Sequence, residues 1–253
     1  MSPSPPDERG RAGPRSPRAA PRWLRSLTRT VVRAAALAAV FAVALALLAG
    51  VAFAIAYPNL PDIDELTDYR PRLPLRVYSA DGVLLGEYGE ERRHFLPLDE
   101  IPQVMQDALL SVEDARFHHH GGIDYLRVLG AGLRNLAVPL SQGASTITMQ
   151  VARNFYLPTE KTFTRKLYEM LLALKIESQL SKRQILEAYM NQIFLGQRAY
   201  GFAAASEIYF GKPLQEVTLA EAAMLAGLPQ APATHNPVVN PQRARARQLV
   251  VLE

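Results

Sequence analysis

The sequence predicts a mainly α-helical domain that follows a single membrane-spanning helix and a small β-hairpin. Three observations carry that prediction: a long uncharged run near the start, an Asp-Gly turn between two β-prone runs, and helical periodicity from residue 101 onward. A chain of 253 residues holds one sizeable domain plus an appendage.

Charge is distributed unevenly. Residues 1–33 contain eight Arg against Asp7 and Glu8, a local net charge of +6 in a chain that totals +4. The remaining residues therefore sum to −2, with no basic patch among them, and nucleic acid is excluded as a partner. The absence of cysteine excludes disulfides, thiolate catalysis and Cys-ligated zinc, while leaving an oxidising compartment open.

The first 22 residues are rich in Pro, Arg, Ser and Ala and offer too little apolar surface to offset the entropy of ordering. Residues 1–33 are accordingly expected to be a disordered basic tail. From Ala34 to Tyr57 there are 24 consecutive uncharged residues. A helix of that length spans roughly 36 Å, enough to cross a bilayer with some tilt. The run is too long, and too far from the start, for a cleaved signal peptide. Arg residues precede it, and Asp62, Asp64, Glu65 and Asp68 follow. The positive-inside rule then predicts a single-pass type II protein, with the tail in the cytoplasm and the rest outside.

Residues 58–100 are the expected linker and hairpin. Pro58, Pro61, Pro71 and Pro74 predict a stiff, extended connector. Ala80-Asp81-Gly82 lies between Leu75-Arg-Val-Tyr-Ser and Val83-Leu-Leu-Gly-Glu-Tyr, a strong hairpin signal. This β element reads as a stalk or brace, without chemistry of its own.

The domain is expected over 101–253. Ile101, Val104, Met105, Ala108, Val112 and Ala115 recur at a 3.6-residue period. Further helical stretches are predicted at about 144–156, 163–180, 182–194, 200–209 and 218–228, with no further strand. The segment from Arg245 to Glu253 is apolar-periodic, with neither a Gly stop nor a following Pro. It reads as a helix cut short, so the chain is expected to be the front part of a longer protein.

Three segments carry candidate chemistry. In Ser111-Val-Glu-Asp-Ala-Arg-Phe-His-His-His-Gly-Gly-Ile-Asp124, Glu113 lies about 120° from the centre of the apolar face. Leu109, Leu110 and Phe117 are its helical neighbours. A carboxylate ringed by apolar side chains, one turn from a helix end that opens into glycines, suits proton transfer. A surface Glu with stray apolar neighbours is the plainer alternative. Consecutive His118, His119 and His120 point about 100° apart on a helix, which argues against one shared zinc ion.

In the second segment, Gly143 is followed by Ser145, Thr146 and Thr148, offering backbone N–H groups and hydroxyls to an anion at a helix start. A plain Ser145 N-cap is the alternative. Gln150, Arg153 and Asn154 then form one polar edge. In the third, Leu167, Met170, Leu171 and Leu174 form the expected buried stripe of a helix. Arg165, Lys166 and Glu169 fall on its other face, as a pyrophosphate-binding cluster or as a solvated ion pair.

In this order and spacing the segments resemble the family 51 glycosyltransferases, the peptidoglycan polymerase domains of class A penicillin-binding proteins and the monofunctional transglycosylases. Glu113, Asp114, Phe117, His120, Gly122 and Asp124 match E-D-x-x-F-x-x-H-x-G-x-D. Gly143, Ser145, Thr146, Ile147, Thr148 and Gln150 match G-x-S-T-I-T-x-Q, and Arg165, Lys166 and Glu169 match R-K-x-x-E. Ile185–Asn191 with Gly196, Tyr200 and Gly201 resembles a fourth motif, and Glu221–Pro232 with Asn236 and Pro237 a fifth. The similarity runs from about Val77 to the end. Met149 replaces the first Gln of a usual Gln-Gln pair, and Arg153 stands where Lys is common.

The resemblance implies a lysozyme-like α domain that polymerises lipid II into a growing lipid-linked glycan at the bacterial inner membrane. It implies Glu113 as general base, and Glu169 with Arg165, Lys166 and Arg153 stabilising the departing pyrophosphate. Mg²⁺ or Mn²⁺ is an optional bridging ion, and no metal ligand set is assigned. Asp114, Phe117, His120, Ser145, Thr146, Gln150 and Asn154 complete the expected substrate-binding set. A transpeptidase domain and other cell-wall synthesis proteins are the implied partners, although neither Ser-x-x-Lys nor Lys-Thr-Gly occurs in these residues. Two rivals remain at this point: a lysozyme-like enzyme that cleaves glycan, and a non-catalytic membrane-tethered scaffold.

Overall fold

The computed structural model describes residues 22–63, 66, 75–89, 91–137, 143, 145–158, 160 and 162–253. The first 21 residues of the expected tail lie outside it. The chain divides into two units, 1–56 and 57–253.

The described residues of the first unit form one helix, α1 (Arg22–Ala56). It starts twelve residues before the uncharged run, so residues 22–33 are helical rather than disordered. Arg and Leu are good helix formers, and extending a helix already nucleated by the apolar run costs little. The stretch Val31–Asn59 contains an 18-residue window with a mean hydropathy of 2.7, none of it buried, and is long and apolar enough to cross a membrane.

The second unit is mainly α, as expected. Its first residues form a 3-10 turn, Tyr57–Asn59, followed by a packed segment where a stiff, extended connector is expected. Leu60 and Ile63 are buried, and Lys175 Nζ donates to Pro61 O at 2.9 Å. The rest of the expected connector, apart from Leu66, lies outside the described residues. Strands β1 (Leu75–Tyr78) and β2 (Leu84–Tyr88) form the expected antiparallel hairpin, with Leu75 opposite Tyr88. Gly82 takes φ +82° at the turn, where a side chain is disfavoured.

The helices are α2 (Gln103–Glu113), α3 (Tyr125–Ala137), α4 (Ile147–Tyr156), α5 (Phe163–Gln179), α6 (Lys182–Gln192), α7 (Phe202–Phe210), α8 (Leu219–Ala226) and α9 (Pro241–Leu252). Two-residue strands β3 (Arg92–Arg93) and β4 (Ala199–Tyr200) pair in parallel, a contact that the periodicity did not predict. Helix α4 packs along α5 and α6, while α8 packs along α2 and α9. The core lies between these helices and holds Met105, Leu109, Phe117, Ile147, Leu172, Ile176, Ile185 and Tyr189.

Two helices differ from expectation. Helix α3 was not foreseen, and it exposes Tyr125, Leu126 and Leu129. On α5 the buried face carries Glu169, Leu171, Leu172, Ala173 and Ile176; of the expected stripe Leu171 is buried, while Leu167 is 45% exposed. The stripe is therefore rotated, and Glu169 faces the core rather than solvent.

The fourth and fifth motifs largely build this scaffold. Buried Asn191 accepts from Leu96 N at 2.9 Å and donates to Leu96 O at 2.8 Å, pairing like a backbone group. Gly201 passes so close to Asn191 that an added Cβ would lie 2.7 Å from its carbonyl oxygen. Tyr209 donates to Leu195 O at 2.8 Å and accepts from Asn236 Nδ2 at 3.1 Å, and burial raises its hydroxyl to about 12.

Candidate active site

Helix α2 ends at Glu113 because Asp114 leaves helical geometry, at φ −156° and ψ 69°. This break turns the two adjacent carboxylates to different tasks. Asp114 is fully buried, and its Oδ2 accepts from Ile147 N, the first amide of α4, at 3.0 Å. Both of its oxygens lie 3.1 Å from His120 Nε2. Asp114 thus joins the end of α2 to the start of α4 and satisfies a helix N–H that has no intrahelical acceptor.

The loop after Asp114 is pinned at several points. Phe117 is buried, with Lys182 Nζ 4.4 Å above its ring. Asp124 accepts from Arg127 N at 2.9 Å and from Arg116 Nε at 2.9 Å. Burial works against ionisation of Asp124, but those two bonds outweigh it and hold its carboxyl below the usual range. Gly122 takes φ +91° and lies so close to α5 that a Cβ would meet Ala173 O at 2.8 Å. Thr146 caps α4 by accepting from Met149 N, and donates to Gly122 O at 2.6 Å. The cap is therefore Thr146, which leaves the Ser145 hydroxyl for another partner.

Glu113 is half-buried, and its Oε2 accepts from Gln150 Nε2 at 2.7 Å. Gln150 Oε1 in turn accepts from Tyr189 at 3.1 Å. Burial above all, and then the Glu113 charge, hold the Tyr189 hydroxyl well above its usual value, so it stays a donor. Arg153 acts in the opposite sense on the same hydroxyl. Arg127 donates to the backbone carbonyl of Glu113 at 2.6 Å.

A second cluster forms where α5 meets the start of α4. Lys166 Nζ donates to Glu169 Oε2 at 2.7 Å and to Ser145 Oγ at 2.8 Å, and Arg165 Nε lies 3.5 Å from Glu169 Oε1. The Glu169 side chain is 1% exposed, whereas that of Lys166 is 41% exposed. A buried carboxylate thus holds a cation whose charge still reaches solvent.

The expected residues separate into three groups. Glu113 and Gln150, with Tyr189 behind them, form one cluster, and Ser145, Lys166, Arg165 and Glu169 the other, while Arg153 is half-buried on α4. Asp114, Phe117, His120 and Thr146 have side chains turned into the packing that joins them. Asn154 is exposed at the far end of α4, and Met149 is a core residue. His118 and His119 are exposed, so the three histidines diverge. Among the described residues no three His, Asp or Glu groups converge as metal ligands. Tyr189 was missed because a tyrosine on an apolar helix face reads as core.

The transglycosylase family profile matches residues 81–253. Penicillin-binding protein 1A of Neisseria gonorrhoeae is 54% identical over 206 residues, covering 81% of this chain and 26% of that protein. A protein of Cupriavidus necator named as a transglycosylase is 52% identical over 208 residues, covering 82% of this chain and 81% of its own length. A crystal structure of penicillin-binding protein 1A from Haemophilus influenzae aligns over 72% of this chain and 18% of its own, at 32% identity and a TM-score of 0.39. The chain thus spans about a quarter of the penicillin-binding proteins it matches. On the match over 81–253, the chain belongs to the transglycosylase family.

Proposed function

We propose that this chain is a membrane-anchored peptidoglycan glycosyltransferase that polymerises lipid II into glycan and releases undecaprenyl pyrophosphate. The observation that carries the proposal is that one short segment, 145–150, is bonded to both clusters. Gln150 meets Glu113, and Ser145 meets the Lys166–Glu169 pair. The five steps from Ser145 to Gln150 span at most about 17 Å, so a base and a cationic anchor lie within reach of one substrate.

In the proposed reaction Glu113 takes the proton from the 4-OH of the acceptor sugar. The freed oxygen attacks the anomeric carbon of the lipid-linked donor, and the bond from that carbon to the pyrophosphate oxygen breaks. The electron pair leaves on the pyrophosphate, whose growing charge Lys166, Arg165 and Arg153 offset. A leaving group of this kind needs charge neutralisation rather than a proton. An enzyme that hydrolyses glycan has no use for the second cluster.

The donor set around Glu169 is one carboxylate already turned to two cations, which does not fit a protein-held metal ion. Mg²⁺ or Mn²⁺ enters this proposal only as a counter-ion carried by the substrate's own phosphates. Helix α1 would cross the cytoplasmic membrane once, with the basic tail inside and the catalytic unit outside, where both lipid-linked substrates lie. A following transpeptidase domain and other cell-wall synthesis proteins are the proposed partners.

The test is Glu113→Gln in the full chain, assayed on purified lipid II. A fall in polymer formation of at least 100-fold is expected, since general-base groups contribute on the order of 10²–10⁴. Polymer formed at the wild-type rate would sink the assignment.

A further inference from the structure

A chain of two hydrogen bonds runs from the core to Glu113. Tyr189 on α6 donates to Gln150 Oε1 on α4 at 3.1 Å, and Gln150 Nε2 donates to Glu113 Oε2 at the end of α2 at 2.7 Å. Tyr189 is 1% exposed and Gln150 6%, so neither offers its polar atoms freely to a bound sugar. Among the described residues, Glu113 Oε1 makes no hydrogen bond.

A primary amide has two ends of nearly equal shape, and its partners decide which end faces which neighbour. Toward a carboxylate the NH₂ end attracts and the carbonyl end repels. Gln150 can present its NH₂ to Glu113 only while its carbonyl is accommodated on the other side. In this buried position the Tyr189 hydroxyl provides that donor. Without it, the Gln150 carbonyl would be a buried acceptor with no partner. The amide would then shift to find its carbonyl a donor, loosening its NH₂ from Glu113 Oε2.

We propose that Tyr189 is a positioning residue for glycosyl transfer, acting through Gln150. It fixes the amide with its NH₂ on Glu113 Oε2 and leaves Glu113 Oε1 free to take the acceptor's proton. Three helices, α2, α4 and α6, thereby set the aim of one carboxylate. The inference rests on the reading of Glu113 as the base, and Tyr189 itself touches no substrate.

The experiment measures kcat and KM for lipid II with the full chain in detergent. The variants are Tyr189→Phe, Gln150→Met, the double variant and Glu113→Gln, with melting temperatures as controls. Tyr189→Phe is expected to lower kcat about tenfold, the equivalent of one lost hydrogen bond, with KM within about twofold. Gln150→Met lowers kcat at least as far, and adding Tyr189→Phe to it costs nothing further, because the two act as one unit. A purely structural tyrosine gives a different result: a further loss on the Gln150→Met background, with KM and melting temperature moving together. That outcome, or a Tyr189→Phe enzyme at the wild-type rate, overturns the proposal. If Tyr189→Phe does not fold, Gln150→Met alone decides, since an unchanged kcat there removes the link through which Tyr189 acts. Glu113→Gln separates the two readings. Full activity in that variant defeats the base assignment itself, whereas an inactive Glu113→Gln beside an unaffected Tyr189→Phe defeats only the positioning role.

Discussion

Replacing Asp114 by Asn tests the joint that places Glu113 against α4. The change removes one charge and keeps the shape, yet the surroundings make it costly. Asp114 receives two donors, Ile147 N at 3.0 Å and His120 Nε2 at 3.1 Å, in a site closed to water. His120 Nδ1 is buried without a hydrogen-bond partner. That is the arrangement of a ring whose proton sits on Nε2 and points at Asp114. Asparagine has one acceptor atom for these two donors. With its oxygen in the place of Oδ2 it still meets both donors, but its NH₂ then takes the place of Oδ1, 3.1 Å from the His120 N–H, donor against donor. With the amide turned, the NH₂ faces the Ile147 N–H. Either way two buried donors oppose each other and the charge that strengthened both bonds is lost, at a cost of about 2–3 kcal/mol. For a unit of this size that corresponds to a fall in melting temperature of about 5–10 °C. Asp114→Ala strands both donors and should cost about 3–5 kcal/mol. The measurement is thermal and urea unfolding of the full chain in detergent, followed by far-UV circular dichroism. An Asn variant within about 0.5 kcal/mol of wild type would refute the reasoning, since it would mean that the site tolerates a missing acceptor.

Two further expectations concern single contacts. Gly122→Ala forces a side chain into φ +91° and sets its Cβ 2.8 Å from the Ala173 carbonyl, part of a helix backbone that cannot rotate away. A loss of about 3 kcal/mol is expected in the same unfolding assay, and an unchanged midpoint would show that α5 can move aside. Glu221 is held down to about 2 from its ordinary 4.5, first by Lys212 and then by the Thr218 N–H and hydroxyl. A lowered folded-state value means that its stabilisation is complete above about pH 4.5 and fades as pH falls toward 2. The side chain is about a quarter exposed, so screening limits the contribution to about 1 kcal/mol. Glu221→Gln should therefore melt below wild type at pH 7 and converge with it only as pH falls through about 2. A gap that stays constant with pH would show that the contact is not electrostatic.

Much of this arrangement is legible in the sequence where a local rule operates. The Asp81-Gly82 turn and the boundaries of α4 to α8 follow from turn chemistry, caps and periodicity, whereas the period that runs on to Ala115 carries α2 past its observed end at Glu113, where Asp114 leaves helical geometry. The failures have equally local causes. The phase of α5 was misread because its core face carries Glu169, and a periodicity count treats a glutamate as a mark of the solvent side. Helix α3 was passed over because Gly130 and Gly132 interrupt it and its apolar residues Tyr125, Leu126 and Leu129 face outward. The β3–β4 pair is two residues long and joins segments about a hundred positions apart, beyond any window in which alternation can be seen. Gln150 was read as one polar edge with Arg153 and Asn154, although only the three-dimensional approach of α2 and α6 turns its amide inward.

The buried position of Glu169 also explains why the second cluster could not be weighed from spacing alone. On a solvated face, Arg165, Lys166 and Glu169 would be an ordinary ion pair worth a few tenths of a kcal/mol. At 1% exposure the same carboxylate is costly to bury unless its partners are held close, and removing either cation would leave a charge in the core. The pairing thus binds Lys166 to one place while leaving its ammonium partly in water, with Ser145 fixing the other side. Asp114 is used in the opposite way, spending its charge wholly inside on a helix amide and a histidine. One acidic residue is turned inward to set the geometry, its neighbour Glu113 keeps an oxygen free, and a third carries a cation to the edge. That division follows from where α2 breaks and how α4 is capped, so the residues that fold this domain and those proposed to act on its substrate belong to one hydrogen-bonded unit.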